Sequence, residues 1–131
     1  MLLTKGLIKA DLIAAKQAIE YYEKTGIRDI KNIAAYHLQQ AAEKLIKIQI
    51  YARVPNVSNS QMYTHNLDRL ILYAESVNIP FSIPQYIRGH SVQISDWEAG
   101  SRYDVAFSIR IDTLIKTYDV IKEWESEVQS G

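Results

Sequence analysis

The sequence predicts an all-α fold, an antiparallel up-and-down bundle of four main helices with one additional short helix. Apolar residues recur at helical spacing through most of the 131 residues. No segment alternates apolar and polar residues with the period of two that is typical of a strand. Turn-forming residues stand where the helical patterns end. A chain of this length is expected to form one domain, residues 1–131.

Two long helices are predicted in the first half of the chain. The first ends at Thr25-Gly26, because glycine readily takes the left-handed conformation that closes a helix. The second begins near Asp29, a suitable cap, and ends before Pro55. The apolar positions of the first helix are Leu3, Leu7, Ile8, Leu12, Ala15, Ala18, Ile19 and Tyr22. Those of the second are Ile30, Ile33, Ala34, Leu38, Ala41, Leu45 and Ile48.

A short helix and a fourth helix are predicted next. The stretch "THNLDRLILYAESVNIP" contains the short helix, which Thr64 or Asn66 can cap. The segment "IPFSIP" breaks the chain, and Pro84 suits the first turn of a fourth helix running toward Ile94. The apolar face of the short helix is formed by Leu67, Leu70, Ile71 and Ala74.

An interruption, "SDWEAGSRYD", is predicted before the last helix. That helix carries four anions near its end, Asp119, Glu123, Glu125 and Glu127, where a helix favours cations. They form either a solvated tail or an acidic surface that meets the basic second helix of another chain. The apolar positions of the last helix are Val105, Ile111, Leu114, Ile115, Tyr118, Ile121, Trp124 and Val128.

Composition limits the classes of function. Hydrophobic residues make up 47% of the chain, which is typical of a globular protein, and the formal net charge of zero argues against strong nonspecific nucleic-acid binding. The absence of cysteine excludes disulfides, zinc-thiolate sites and thiol nucleophiles. Lys5, Lys9 and Asp11 interrupt the apolar N-terminal run, and no uncharged stretch is long enough to span a membrane. We expect a soluble, cytoplasmic protein.

Neither a metal site nor a nucleotide cofactor is expected. The three histidines, His37, His65 and His90, are far apart in the sequence and form no metal-ligand spacing. The five glycines are isolated, so there is no glycine-rich phosphate loop. No local motif supports a serine nucleophile either. A phosphate group would have to be held by side chains and helix N-termini.

The second helix, "AAYHLQQAAEKLIKIQIY", is unusually polar for a bundle helix. Helical spacing places a ring base, an amide, two ammonium groups and a phenol on one face. This stripe is suited to line a groove for phosphates and bases. It is equally consistent with a polar flank in which Glu43 pairs with Lys47 one turn later. Its members are His37, Gln40, Lys44, Lys47 and Tyr51.

Arg102-Tyr103-Asp104 stands where the last helix is predicted to start. Arginine can bind phosphate with two hydrogen bonds, tyrosine can stack on a base, and a helix N-terminus favours anions. The alternative is structural: Asp104 caps the helix, Tyr103 lies at the edge of the core, and Arg102 pairs with Asp104.

Three motifs in order, "HLQQAAEKLIK", "THNLDRLI" and "GSRYD" before a long last helix, resemble the HEPN family, named for higher eukaryote and prokaryote nucleotide-binding domains. The resemblance implies a HEPN-like bundle that forms a homodimer. It also implies a nucleotidyltransferase-type partner in a toxin–antitoxin-like system. Other HEPN proteins are metal-independent ribonucleases, which use an arginine followed after four to six residues by a histidine. These two residues stand near the start of the final helix and work across a dimer.

The sequence departs from this ribonuclease motif. Phe107, Ser108 and Ile109 occupy the positions after Arg102 where the histidine is required, and no other arginine is followed by a histidine at that spacing. A general acid or base typically contributes about 10²–10⁴-fold to a rate. We therefore expect no catalytic residues and favour a non-catalytic nucleotide- or RNA-binding module. Its predicted binding residues are Arg102, Tyr103, Asp104, His37, Gln40, Lys44 and Lys47.

Two alternatives remain open, so enzymatic activity is disfavoured but undecided. The first is a noncanonical ribonuclease in which His37 or His65 replaces the missing histidine. The second is a dimeric interaction module without a ligand. In that module Gln39, Gln40 and Glu43 are hydrogen-bonding groups of the interface, and the acidic tail meets Lys44 and Lys47.

Overall fold

The computed structural model describes residues 5–103 and 107–130, and its regular secondary structure within these ranges is entirely α-helical. Predictions for Leu3, Asp104 and Val105 lie outside the described residues. No helix in the described ranges combines the length and apolarity that a membrane span requires. The helices are α1 (Lys5–Thr25), α2 (Ile30–Arg53), α3 (Asn59–Met62), α4 (Leu67–Ser76), α5 (Gln85–Gly89), α6 (Ser91–Tyr103) and α7 (Ile111–Ser130).

Helix α2 is the central element of the bundle, because it packs against α1, α4, α6 and α7. It runs antiparallel to α1: Lys31, near the start of α2, lies over the ring of Tyr22, near the end of α1. Helix α7 packs against both α1 and α2, and its Glu125 pairs with Lys9 of α1 at 3.3 Å. The predicted helical bundle is confirmed. The ends of α1 and α2 agree with the predicted boundaries, with Gly26 at a φ of 67° between them.

The predicted interruption at residues 95–104 is wrong, since α6 continues to Tyr103. Ile94 and Trp97 are buried in the core, and this burial favours a continuous helix despite the serines and the glycine in the segment. Gly100 has a packing role instead. A Cβ atom there would lie 2.7 Å from Cδ1 of Phe107, so only glycine lets this ring approach the helix.

The number of helices also differs from the prediction. Five longer helices and two short ones occur in the described ranges, where four main helices and one short helix were expected. The region from Pro84 to Ile94 forms two helices, α5 and α6, which meet at His90. The last helix begins at Ile111, well after Arg102. The region around Arg102 is therefore a helix end and not a helix start.

Hydrogen bonds to the backbone of Ser82 hold the segment between α4 and α5 against the bundle. The side-chain amide of Gln49 donates to the Ser82 carbonyl at 2.9 Å and accepts from its N–H at 2.6 Å. The indole N–H of Trp124 donates to the same carbonyl at 2.9 Å. Both side chains are buried, so these hydrogen bonds satisfy polar groups that water does not reach.

Candidate functional site

The polar side chains of α2 are largely enclosed because the helix has neighbours on most sides. Gln39, Glu43 and Lys47 are buried. Buried polar groups need hydrogen-bond partners, and a buried charge needs a group of opposite sign. The structure supplies these partners in two connected clusters. We call them the Glu43 cluster (Gln39, Glu43, Lys47 and His65) and the Asp11 cluster (Asp11, His37, Gln40 and Lys44).

The Glu43 cluster is centred on one carboxylate. Oε1 of Glu43 accepts from the side-chain amide of Gln39 at 3.1 Å and lies 2.9 Å from Nδ1 of His65. Its Oε2 accepts from Nζ of Lys47 at 3.0 Å. The pairing of Glu43 with Lys47 that the sequence suggested is thus confirmed. Lys47 faces the interior and is not a groove-lining residue.

His65 extends this cluster to α6. Its Nε2 lies 3.8 Å from Oε1 of Glu98, so the imidazole stands between two carboxylates. The same Oε1 accepts from Nη2 of Arg102, and the Glu98 carbonyl accepts from Nε of Arg102 at 3.1 Å. His65 and Arg102 are therefore connected through a single side chain, Glu98.

The Asp11 cluster joins α2 to α1. Oδ1 of Asp11 lies 2.8 Å from Nδ1 of His37, and Oδ2 accepts from Nζ of Lys44 at 2.6 Å. Gln40 lies 3.4 Å from the same ammonium group and donates to Oε1 of Gln39 at 2.8 Å. This last bond connects the two clusters. His37 and Lys44 therefore hold α2 to α1.

Replacing Asp11 with alanine is expected to lower the free energy of unfolding by about 2 kcal/mol, because two charge-assisted contacts are lost and a mostly buried ammonium group loses its anion. Chemical denaturation measures this change. Asp112→Ala is the matched control, because the Asp112 carboxylate is exposed and its contact with Arg110 is long, at 3.8 Å. An equal effect of the two substitutions would contradict a structural role for the Asp11 cluster.

A cleft of about 420 Å³ lies between the first turns of α2 and the end of α6. Arg102 and His37 both line it, so the structure brings together two of the predicted site residues from distant parts of the chain. The Arg102 side chain is 42% exposed. Other side chains of the lining are Asp29, Asn32, Ile33, Tyr36 and Ser101.

Aromatic rings surround the guanidinium group of Arg102. Its central carbon lies 4.7 Å from the ring centroid of Tyr103 and 5.4 Å from that of Tyr36. The Tyr36 ring meets the His37 ring edge-on, with centroids 5.2 Å apart. Cation–π contacts of this kind restrict where the guanidinium group lies. The cleft thus combines a cation, an imidazole and the phenol ring of Tyr36, and the strongly exposed Tyr103 ring lies beside it against Arg102.

The remaining predicted site residues do not line the cleft. Gln40 and Lys44 belong to the Asp11 cluster and Lys47 belongs to the Glu43 cluster. Tyr103 is not part of the lining, although its ring lies against the Arg102 guanidinium group. Asp104 lies outside the described residues. The predicted reason for anion binding at Arg102 is also wrong. Arg102 is in the last turn of α6, where the helix dipole favours the arginine itself and not an anion.

Sequence reasoning missed several cleft residues. Asn32, Tyr36 and Gln40 follow one another on α2 at intervals of four residues. The polar stripe therefore begins about one turn earlier than His37, where the prediction began it. Glu98 precedes Arg102 by four residues, which is the spacing of an ion pair on a helix. That signal was hidden by the expectation that the segment was not helical.

A larger groove of about 510 Å³ lies between α1 and α7. Its three lysines, Lys9, Lys16 and Lys122, stand beside Glu20 and Glu125, and Lys9 already pairs with Glu125. Charge alone does not favour the Arg102 cleft, because Asp29 offsets Arg102 there while this groove has one more lysine than carboxylates; the Arg102 cleft is preferred for the aromatic contacts of its cation. In the described ranges, no three His, Cys, Asp or Glu side chains come together as a candidate metal site.

Comparisons with protein-family models, with curated proteins and with solved structures give no match to this chain. The geometry of the cleft and the sequence motifs therefore carry the functional argument.

Proposed function

We propose that this protein is a non-catalytic HEPN-type module that binds a nucleotide or RNA in the Arg102 cleft. The observation that carries the proposal is the position of Arg102, a partly exposed cation beside His37 and between two tyrosine rings. A guanidinium group presents several N–H donors in a plane and suits phosphate oxygens.

The aromatic and polar side chains of the cleft suit the other parts of a nucleotide. A base stacked on tyrosine contributes about 1–3 kcal/mol, and every base has a face that can stack. Tyr103 is the most accessible ring for this contact. Asn32 and Ser101 line the same cleft and offer hydrogen bonds to a base edge or a ribose hydroxyl group.

The proposal includes a homodimer and a nucleotidyltransferase-type partner in a toxin–antitoxin-like system, both suggested by the HEPN motifs. Ile27 and Ile33 are exposed apolar side chains, and Ile33 lines the cleft, so a partner surface near the ligand is reasonable. The acidic tail is not expected to reach Lys44 and Lys47 of another copy. Both lysines are paired with carboxylates of their own chain.

Replacing Arg102 with alanine is expected to weaken nucleotide or RNA binding by at least about tenfold, because a charge-assisted contact to phosphate contributes roughly 1.5–3 kcal/mol. Isothermal titration calorimetry with a nucleotide panel and a short single-stranded RNA measures this change. Arg110→Ala is the matched control, since Arg110 is an exposed arginine that does not line the cleft. Equal affinities of wild type and Arg102→Ala, or no binding by the wild type, would contradict the proposal.

A noncanonical ribonuclease is the second candidate, and one observation favours it. His37 shares the cleft with Arg102, and His65 is linked to Arg102 through Glu98. Either imidazole could transfer a proton while Arg102 stabilises phosphoryl charge. Cleavage of RNA by purified protein that is lost in His37→Ala or His65→Ala would support this candidate. RNA that stays intact would leave binding as the function.

A further inference from the structure

We propose that Glu98 restrains Arg102 and lowers the affinity of the cleft for anions, because its carboxylate occupies one side of the guanidinium group and repels an anion bound to the other donors. The inference rests on the proposed function, because it concerns the same cleft. It adds that a contact within the chain, between Glu98 and Arg102, regulates the affinity of the cleft. Glu98 acts through Arg102, since it is not among the residues that line the cleft.

The geometry of the pair carries the inference. Glu98 engages Arg102 twice: its carboxylate accepts from Nη2, and its backbone carbonyl accepts from Nε at 3.1 Å. These are two donors on one side of the guanidinium group. A phosphate that approached this side of the guanidinium group would have to displace the carboxylate, and one that bound the remaining donors on Nη1 and Nη2 would lie close to the Glu98 charge. The rings of Tyr36 and Tyr103 limit how the group can turn away.

Burial makes the carboxylate an effective competitor. The Glu98 side chain is 11% exposed, whereas that of Arg102 is 42% exposed. Water therefore screens the Glu98 charge poorly, and its repulsion reaches an anion in the cleft. The Glu98 carboxylate also lies near the imidazole of His65. That imidazole contacts Glu43 as well, and Glu43 is paired with Lys47. Asp29 adds a second carboxylate at the rim of the cleft.

This arrangement has a consequence for the class of ligand. An anion that offers only charge gains little from Arg102, because the arginine already has a carboxylate. A nucleotide gains additional stabilisation from stacking on Tyr103 or Tyr36. The cleft is therefore expected to select a phosphate that carries a base over inorganic phosphate.

The test compares Glu98→Gln with the wild type, using inorganic phosphate and adenosine 5′-monophosphate as probes in calorimetric titrations. Glutamine keeps the size and a hydrogen-bond acceptor while removing the charge. We expect Glu98→Gln to bind both probes about tenfold more tightly, the effect of one charge a few ångströms from an anion near a protein surface.

Glu75→Gln is the matched control, because Glu75 forms an arginine pair with Arg88 at 3.0 Å outside the cleft. It should leave the affinity for both probes unchanged. Unchanged or weaker binding by Glu98→Gln would overturn the inference while leaving the proposed function intact, provided that the wild type binds and Arg102→Ala does not. Absence of binding in wild type and Glu98→Gln alike would overturn both. If Glu98→Gln does not fold, Glu98→Asp draws the carboxylate back from Arg102 and must likewise bind more tightly than the wild type.

Discussion

Replacing Glu43 with alanine is expected to lower the free energy of unfolding by about 3–5 kcal/mol. Glu43 is buried and receives contacts from Gln39, Lys47 and His65. Without the carboxylate, the ammonium group of Lys47 remains in the interior without a charge of opposite sign. An unpaired buried charge costs far more than the lost hydrogen bonds alone. Urea denaturation followed by circular dichroism measures the loss.

The double variant Glu43→Leu/Lys47→Met separates the cost of an unpaired charge from the value of the pair. Apolar side chains of similar volume commonly replace a buried ion pair at little cost. We therefore expect the double variant to recover most of the stability lost in Glu43→Ala. A double variant that is as unstable as Glu43→Ala would contradict this explanation. It would then be the specific hydrogen bonds of Gln39 and His65 that hold the bundle.

Replacing Trp124 with alanine is expected to destabilise the protein by about 3–5 kcal/mol, the usual cost of deleting a large buried ring. Trp124 is almost fully buried in α7 and also donates to the Ser82 carbonyl. Its removal leaves a cavity and loosens the segment before α5. The change is measured by thermal and chemical denaturation.

Two further substitutions make this result interpretable. Trp124→Phe keeps one six-membered aromatic ring and loses the indole donor together with some buried volume, while Gln49 still donates to the Ser82 carbonyl. It should therefore cost about 1–2 kcal/mol. Leu72→Ala removes a large apolar side chain that is exposed on α4, and it should change stability by less than about 0.5 kcal/mol. Equal losses for Leu72→Ala and Trp124→Ala would contradict the core assignment.

The long helices could be predicted because their signals are local. The apolar spacing of α1 and α2 and the glycine at position 26 describe the same boundaries as the structure. The extent of α6 could not be read in this way. Ser101 and Gly100 resemble a loop in sequence, but the burial of Trp97 and the approach of Phe107 to Gly100 are contacts between distant parts of the chain. Tertiary packing there outweighs local propensity.

The candidate site shows the same division between local and tertiary information. The sequence singled out Arg102 and His37 separately, and only the fold shows that they line one cleft. The sequence also grouped Lys44 and Lys47 with His37, because helical spacing puts these three side chains on one face of α2. Spacing cannot reveal that Asp11 and Glu43 neutralise these lysines inside the protein. The polarity of α2 is thus mainly structural, and its residues that line the proposed binding cleft are confined to the first turns.

The proposed binding site is tested most directly by the nuclear magnetic resonance signal of the Arg102 Nε–H group during titration with a short single-stranded RNA. We expect this signal to shift and saturate, together with the backbone amides of Asn32, Tyr36 and Ser101, because these residues line the same cleft. Saturable shifts at Lys16 and Lys122, with Arg102 unchanged, would contradict binding in the cleft and place the ligand in the groove between α1 and α7.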